Sequence, residues 1–333
     1  MNEIKTIVSD IKKGNIKPIY FLMGDEPYYI DKISEYIEKN VLDESEKGFN
    51  QVVMYGRDVT IDEIIASAKR YPMMAEKQVI IVKEAQDLVR TIDRIEAYAE
   101  NPQLSTVLVF NYKYKKLDKR KKTYKAIAKN GLIYDSKKLY DNQVADWIRK
   151  VLGGRKYNIE PKASQMLVEF LGTDLSKISN ELDKLTSVLP KNIIITDKHI
   201  EENIGISKDF NNFELRKAIG QKDVVKANRI INYFTQNPKN NPLVMTISLL
   251  NSFFTQLLMY HGLKDKSKGN VAKVLGVNPY FVDDYSSSAK KYPMRKVSQV
   301  IGFLREADIK SKGVGANQSS SDILKELLFK ILH

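Results

Sequence analysis

The chain has 333 residues, a net charge of +13 at pH 7, no cysteine and three histidines. Its length exceeds one typical hydrophobic core, so two or three domains are expected, and the positive charge favours a polyanionic partner such as nucleic acid. The composition excludes disulfides and thiolate metal sites, and the histidines are too far apart in the sequence to form a metal-binding motif.

No contact with a membrane is predicted. No apolar run approaches the roughly 18 residues that are needed to cross a bilayer. Residues 1–13 are charged and lack the apolar segment of a signal peptide. A cytoplasmic, metal-free protein is therefore expected.

The first predicted strand and helix occupy the place of a nucleotide-binding loop. Residues 18–23 are apolar and Gly24 follows them. A P-loop requires a glycine, four residues and then Gly-Lys-Ser/Thr, because these groups bind the phosphates and magnesium. Those last three positions hold Tyr29, Ile30 and Asp31. We therefore predict a degenerate P-loop that binds no nucleotide cofactor in the usual way.

Charged residues near this loop lead to the same prediction. Asp25 and Glu26 place negative charge where phosphates would need hydrogen-bond donors. The apolar strand 79–82 ends in Lys83 and Glu84, where a P-loop ATPase would have an acidic pair for magnesium and water. Both the phosphate-binding loop and the magnesium-binding end of the strand 79–82 are thus altered, and no catalytic residue is predicted.

Apolar runs alternate with helical patterns through the first third of the chain. The further predicted strands are 51–55, 105–110 and 132–134, and the helical segments are 61–70, 87–98 and 123–128. This alternation predicts an α/β domain with a parallel sheet, covering residues 1–138.

Two adjacent methionines lie at the entrance to the strand 79–82. Pro72 makes the helical conformation unfavourable for Tyr71, so the preceding helix ends there. Met73 and Met74 follow directly, and adjacent residues in a turn point in different directions. Two adaptable thioethers could form a wedge for a partner's pocket. The alternative is that both side chains cover the edge of the core.

The densest basic run follows the strand 105–110, at the carboxyl end where open α/β sheets place their sites. Its candidate DNA-proximal residues are Lys115, Lys116, Lys119, Arg120, Lys121 and Lys122. Such residues would contact phosphates without reading bases. The alternative is a solvated helix face.

Only helical patterns are predicted after the sheet domain. We predict a helical lid domain at 139–208 and a second helical bundle at 209–333, whose apolar last helix, 323–332, suggests contact with other subunits. Residues 271–291 look like a helix-turn-helix, which would make the chain a sequence-specific DNA-binding regulator. Asp283 and Asp284 are poor residues for reading the major groove.

Four segments together carry a resemblance to a known family. They are Pro-Ile-Tyr-Phe-Leu-Met-Gly-Asp-Glu-Pro (18–27), Pro-Met-Met-Ala-Glu-Lys-Gln-Val-Ile-Ile-Val (72–82), Asn-Pro-Tyr-Phe-Val (278–282) and Leu-Arg-Glu-Ala-Asp-Ile-Lys-Ser-Lys-Gly (304–313). In this order and spacing, the chain resembles the delta subunit of the bacterial DNA polymerase III clamp loader over its whole length.

The resemblance implies an ATPase-like (AAA+) domain with a degenerate P-loop, a helical lid and a helical collar used for oligomerisation. It implies a subunit of the DNA polymerase III holoenzyme, a nucleotidyltransferase, without a catalytic site of its own. The implied partners are the sliding clamp (beta subunit), the tau/gamma-type and delta-prime-type loader subunits, and primer-template DNA. The family opens the clamp with a hydrophobic pair, often Leu-Phe, which corresponds to Met73 and Met74, with Tyr71 and Pro72 positioning them.

Overall fold

The computed structural model, which describes residues 2–314 and 318–333, divides the chain into two units, Met1–Leu139 and Tyr140–His333. The predicted boundary between a lid and a collar, after residue 208, lies inside the second unit. That finer division stays a prediction.

The first unit is an α/β domain with five parallel strands. Its elements are α1 (Asn2–Lys12), β1 (Ile19–Gly24), α2 (Pro27–Asn40), α3 (Glu44–Asn50), β2 (Gln51–Tyr55), α4 (Ile61–Ala68), β3 (Gln78–Lys83), two 3₁₀ helices (Ala85–Leu88 and Ile92–Ile95), α5 (Glu96–Glu100), β4 (Thr106–Lys113), α6 (Lys122–Asn130) and β5 (Leu132–Ser136). The strand order is β2-β3-β4-β1-β5, with β2 and β5 at the edges and all neighbouring strands parallel. The predicted fold class is confirmed.

The three inner strands, β1, β3 and β4, each contain at least four consecutive apolar residues. Helices cover both faces of a parallel sheet, so residues on both sides of a strand are buried. All of β1 is buried, and β3 and β4 are buried except at their last residues, Lys83 and Lys113. The edge strand β2 instead leaves Val52, Val53 and Tyr55 exposed.

The helical segment predicted at 87–98 is more irregular than expected. It consists of the two 3₁₀ helices and the start of α5. Leu88, Ile92, Ile95 and Tyr98 are all buried in the core under the sheet. Their spacing of three or four residues gives an apolar face in a 3₁₀ turn as well as in an α-helix, so the pattern could not distinguish the two.

The second unit is almost entirely helical. Its elements are α7 (Asp141–Gly154), β6 (Asn158–Ile159), α8 (Pro161–Leu171), α9 (Leu175–Val188), β7 (Ile194–Ile195), α10 (Asp197–Ile204), α11 (Asn212–Gly220), α12 (Val224–Gln236), α13 (Leu243–Gly262), α14 (Lys268–Leu275), a 3₁₀ helix (Pro279–Phe281), α15 (Val282–Lys291), α16 (Met294–Ser311) and α17 (Ser320–Leu332). The short parallel pair β6–β7 was not predicted, because two residues per strand leave no periodic pattern.

Helix α13 corrects one prediction. By length and composition alone it could cross a membrane, although no such run was expected. Its inward face, which includes Phe254 and Leu257, is buried in the core of the helical bundle. Its outward face carries exposed Ser248, Asn251 and Thr255. One buried and one polar face is the pattern of a helix inside a globular bundle.

The last helix, α17, also differs from expectation. Its apolar residues Leu324, Leu327, Leu328 and Ile331 are buried in the core that α17 forms with α12 and α16. The chain's own packing therefore accounts for the apolar character of this helix, which by itself gives no support to a subunit contact. Phe329 is the large apolar side chain of α17 that stays exposed.

Candidate functional site

The segment between α4 and β3 carries the predicted methionine pair, and buried polar residues hold both of its ends. The side-chain nitrogen of Gln78 donates hydrogen bonds to the carbonyl oxygen of Arg70 (2.5 Å) and to the hydroxyl of Thr106 (2.8 Å). The Thr106 hydroxyl in turn donates to the carbonyl oxygen of Ala68 at 2.7 Å. These bonds satisfy carbonyl groups at the end of α4, which no later helical turn can reach.

A second anchor lies in the middle of the segment. Asn50, the last residue of α3, is only 3% exposed. Its Oδ1 accepts a hydrogen bond from the Met73 N–H at 2.6 Å, and its Nδ2 donates to the Met73 carbonyl oxygen at 2.9 Å. Residues 23 positions apart in the sequence are thus joined at the backbone of Met73.

Both methionine side chains lie in solvent. Met73 is 62% exposed and Met74 is fully exposed, so the alternative that both cover the core edge is wrong. Met74 has a φ of 55°, in the left-handed region that non-glycine residues seldom adopt. Tyr71 is also exposed, and Pro72 is partly exposed. The four predicted residues therefore form one turn at the amino end of β3.

Two further apolar residues at the same end of the sheet were missed. Phe49 precedes β2 and is 75% exposed, and Leu104 precedes β4 and is 72% exposed. The Lys77 ammonium donates to the Leu104 carbonyl oxygen at 2.8 Å, which joins the segments before β3 and β4. Each of these residues lies just before a predicted strand, as Met73 and Met74 do, and that shared position was the available signal.

The opposite, carboxyl end of the sheet holds the degenerate P-loop. Gly24 has a φ of +122°, and a Cβ there would lie 2.1 Å from the Ser136 carbonyl oxygen, so only glycine fits. That oxygen also accepts a hydrogen bond from the Asp25 N–H at 2.8 Å. Tyr29 and Ile30, at the positions of the missing glycine and lysine, are buried in the core.

The amino terminus of α2, which would face a phosphate, is occupied by the chain's own carboxylate. The buried Glu26 is the N-cap of α2, and its Oε1 accepts a hydrogen bond from the Tyr28 N–H at 3.2 Å. A helix amino terminus attracts anions through its free N–H groups and its dipole. Glu26 supplies that anion internally.

A lysine lies where magnesium would bind. The Lys113 ammonium is 3.0 Å from Asp31 Oδ1 and 2.8 Å from Glu84 Oε1. Asp31 is at the position of the magnesium-binding hydroxyl, and Glu84 follows β3. Burial acts to lower the pKa of Lys113, but the hydrogen bonds with Glu84 and Asp31 outweigh it and raise that pKa. The residues at this end of the sheet therefore do not fit magnesium and nucleotide.

Metal binding finds no support elsewhere. Among residues 2–314 and 318–333, no group of three or more potential metal-ligating side chains occurs.

The structure separates the predicted DNA-proximal residues into two groups. Lys116 pairs with Asp25 and Asp135, Arg120 with Asp118, and Lys121 with Asp93, at N–O distances of 2.5–3.1 Å. Hydrogen bonds from Arg120 lower the pKa of Asp118 to about 2. Lys115, Lys119 and Lys122 are exposed and have no ion-pair partner within the described part of the chain. The Lys115 ammonium donates to the Gln86 carbonyl oxygen at 3.3 Å.

The helix-turn-helix interpretation of residues 271–291 gains nothing from the structure. Val282 and Tyr285 face the core, and the first turn of α15 presents Asp283 to solvent. The Asp283 carboxylate pairs with Lys268 at 3.0 Å. A carboxylate at this end of a recognition helix would repel DNA phosphates.

Two family models match the chain. One, described as DNA polymerase III, delta subunit, matches residues 20–137, and the other, described as DNA polymerase III delta subunit, C-terminal domain, matches residues 209–330. Together they match more than two thirds of the chain.

Similar proteins are found in two bacteria. The DNA polymerase III subunit delta of Bacillus subtilis (strain 168) is 25% identical over 313 residues, covering 91% of this chain and 90% of that protein. The probable DNA polymerase III subunit delta of Aquifex aeolicus (strain VF5) is 19% identical over 310 residues, with coverages of 88% and 86%. The solved structure of the Bacillus subtilis DNA clamp loader delta protein has a TM-score of 0.55 at 24% identity, covers 99% of both chains and shows the same fold.

Proposed function

Because the chain belongs to the DNA polymerase III delta subunit family, we propose that it binds the sliding clamp and opens its ring for loading onto primed DNA, without hydrolysing ATP itself. The single observation that carries this proposal is the exposure of Met73 and Met74 on a turn that is held at both ends and in the middle. An exposed apolar pair on a fixed turn is the form of a side-chain wedge for a partner's pocket.

The size of the apolar pair suits such an interface. Burying two methionine side chains contributes on the order of 3–6 kcal/mol before the ordering costs of association. The anchors at Asn50 and Gln78 support a turn that is ordered before binding, and prior order reduces that cost. Tyr71 and Pro72 complete the contact surface.

The residues at the carboxyl end of the sheet support the proposal that the chain does not hydrolyse ATP. Lys113 lies between the two carboxylates that would face magnesium, and Glu26 caps the helix that would face phosphate. ATP would then act through the tau/gamma-type subunits of the loader. The chain would join these and a delta-prime-type subunit through its second unit, in the cytoplasm, as part of the polymerase holoenzyme.

Primer-template DNA is the proposed nucleic-acid partner within the assembled loader. Lys115, Lys119 and Lys122 are the members of the basic run with no ion pair among the described residues, so their charge is available for phosphates. Lys116, Arg120 and Lys121 would contribute less, because nearby carboxylates already neutralise them.

Binding of the full chain to the sliding clamp from the same organism, without ATP, tests the proposal. We expect nucleotide-independent binding that weakens by about tenfold or more when Met73 and Met74 are both changed to alanine, since tenfold corresponds to only about 1.4 kcal/mol. The control is Val188→Ala with Ile194→Ala, which removes two exposed apolar side chains from the second unit. Unchanged binding by the Met73→Ala, Met74→Ala variant would rule out the wedge.

A further inference from the structure

We propose that Asn50 is a positioning residue for the methionine pair: its side-chain amide fixes the Met73 peptide groups and thereby sets the affinity for the clamp. This inference rests on the proposed function. It adds a buried residue, only 3% exposed, that lies 23 positions away from the Met73 peptide it holds.

The side-chain amide of Asn50 uses both its oxygen and its nitrogen in hydrogen bonds. Its Oδ1 accepts from the Met73 N–H at 2.6 Å, and its Nδ2 donates to the Met73 carbonyl oxygen at 2.9 Å and to the Glu46 carbonyl oxygen at 3.1 Å. Both backbone groups of Met73 are thus held by one side chain. Asparagine supplies one acceptor and two donor hydrogens in a plane, and no aliphatic residue can replace them.

Asn50 is itself attached to the sheet. Asn50 ends α3 and is followed at once by β2, whose first residue, Gln51, is paired with Val79 in β3. Helix α3 is closed at its other end by a capping box, in which the Asp43 N–H donates to Glu46 Oε2 at 3.1 Å. The backbone of Met73 is therefore held by a residue that adjoins the sheet.

The hydrogen bonds of Asn50 also affect the position of the next residue, Met74. Met74 is in the left-handed region and its side chain is fully exposed, so the direction of that side chain depends on how the Met73 peptide is held. Without Asn50, the turn would keep its attachments through α4, Gln78 and Lys77 but would lose the one at the Met73 backbone. The turn would then sample more conformations, and the affinity would fall in proportion to the population of the binding-competent one.

The alternative is that Asn50 only finishes α3 and fills the edge of the core. Asn211 in the second unit offers a matched control, because it is also buried, its Oδ1 accepts a hydrogen bond from the Glu214 N–H at 2.9 Å, and its Nδ2 donates to the Ser207 carbonyl oxygen at 2.7 Å. Loss of the control residue's hydrogen bonds should lower thermal stability to a similar degree without changing clamp binding.

The experiment measures clamp binding by the full chain carrying Asn50→Ala, Asn50→Asp or Asn211→Ala. We expect Asn50→Ala to weaken binding about 5- to 30-fold, as two net hydrogen bonds of about 1 kcal/mol imply. Asn50→Asp places a buried carboxylate oxygen against the carbonyl oxygens of Met73 and Glu46, so its loss should be at least as large as that of Asn50→Ala. Asn211→Ala should bind like the parent.

A double-mutant cycle separates positioning from a general structural effect. The Asn50→Ala loss should disappear when Met73 and Met74 are already alanine, because there is no longer a pair to position. Hydrogen exchange of the unbound chain should also show faster exchange of the Met73 N–H in Asn50→Ala, with the amides of β3 unchanged.

Three results would overturn the inference while leaving the proposed function standing. They are parent-like binding by Asn50→Ala, an equal loss in the background lacking both methionines, and an equal loss in Asn211→Ala. A parent chain that does not bind the clamp would instead overturn the proposed function, and the inference with it.

Discussion

Removing the Lys113 ammonium tests whether this lysine holds the carboxyl end of the sheet together. Lys113→Met keeps most of the side-chain volume but leaves Asp31 and Glu84 facing one another with no cation between them. A hydrogen bond to a charged group contributes about 1.5–3 kcal/mol when buried. The Lys113 side chain is only 15% exposed, but its two partners are 38% and 40% exposed, so solvent screens them. We therefore expect a destabilisation of about 2 kcal/mol in total.

The pH dependence of this effect follows from the direction of two pKa shifts. Burial acts to raise the pKa of Glu84, but hydrogen bonds from Lys113 and Gln86 outweigh it and bring that pKa below its ordinary value of 4.5. The Glu84 contribution is present above 4.5 and is lost as the pH falls through the lowered pKa. The pKa of Lys113 lies above its ordinary value of 10.5, so its contribution is present below 10.5 and is lost as the pH rises through the raised pKa.

The assay is thermal unfolding of the full chain, followed by circular dichroism and by the fluorescence of Trp147, the single tryptophan, which lies in the second unit. At pH 7 we expect the first unit of Lys113→Met to melt roughly 4–8 °C lower than the parent. The difference should shrink as the pH falls through the lowered pKa of Glu84 and as it rises through the raised pKa of Lys113. Lys119→Met, which removes an exposed lysine, is the control. Equal melting of the two variants would refute the internal-cation argument.

Three further outcomes are expected. Met74→Ala should weaken clamp binding more than Met73→Ala, because Met74 is fully exposed and loses its whole side chain from the contact; the reverse order in a binding titration would contradict this. Gly24→Ala should lower the free energy of unfolding by more than about 3 kcal/mol, since its Cβ would overlap a carbonyl oxygen of β5 at 2.1 Å and its φ is +122°; denaturant titration checks this. Charge reversal of Lys119 and Lys122 should weaken DNA binding by the assembled loader about tenfold at low salt and reduce the salt dependence of that binding. Unchanged binding would indicate that these lysines only form a solvated helix face.

The strands were predictable because burial on both faces leaves a simple signal. In β1, β3 and β4 every position from the first to the next-to-last is buried, and each strand contains at least four consecutive apolar residues. The edge strand β2 was still recognisable from its β-branched residues. Short elements such as β6 and β7, and the 3₁₀ helices after β3, could not be predicted, since they depend on tertiary contacts more than on local pattern.

The methionine turn was predictable for a different reason: Pro72 ends a helix directly before a strand, and two large apolar residues stand between them. Asn50 was not predictable, because its role depends on the pairing of β2 with β3, which brings residues 23 positions apart together. The same holds for Lys113, whose partners come from α2 and from the residue after β3.

The two ends of the sheet give a physical reason to expect a response to ATP that is indirect. In a nucleotide-dependent domain, bound magnesium and phosphate complete the carboxyl end of the sheet, so its geometry changes when they leave. Here Lys113 and Glu26 supply a cation and an anion that cannot leave. The amino end, where Asn50 and Gln78 hold the methionine turn, should therefore stay assembled at any nucleotide concentration. Regulation of clamp binding would then come from other loader subunits covering or uncovering the turn, which predicts that clamp affinity depends on ATP in the assembled loader and not in the isolated chain.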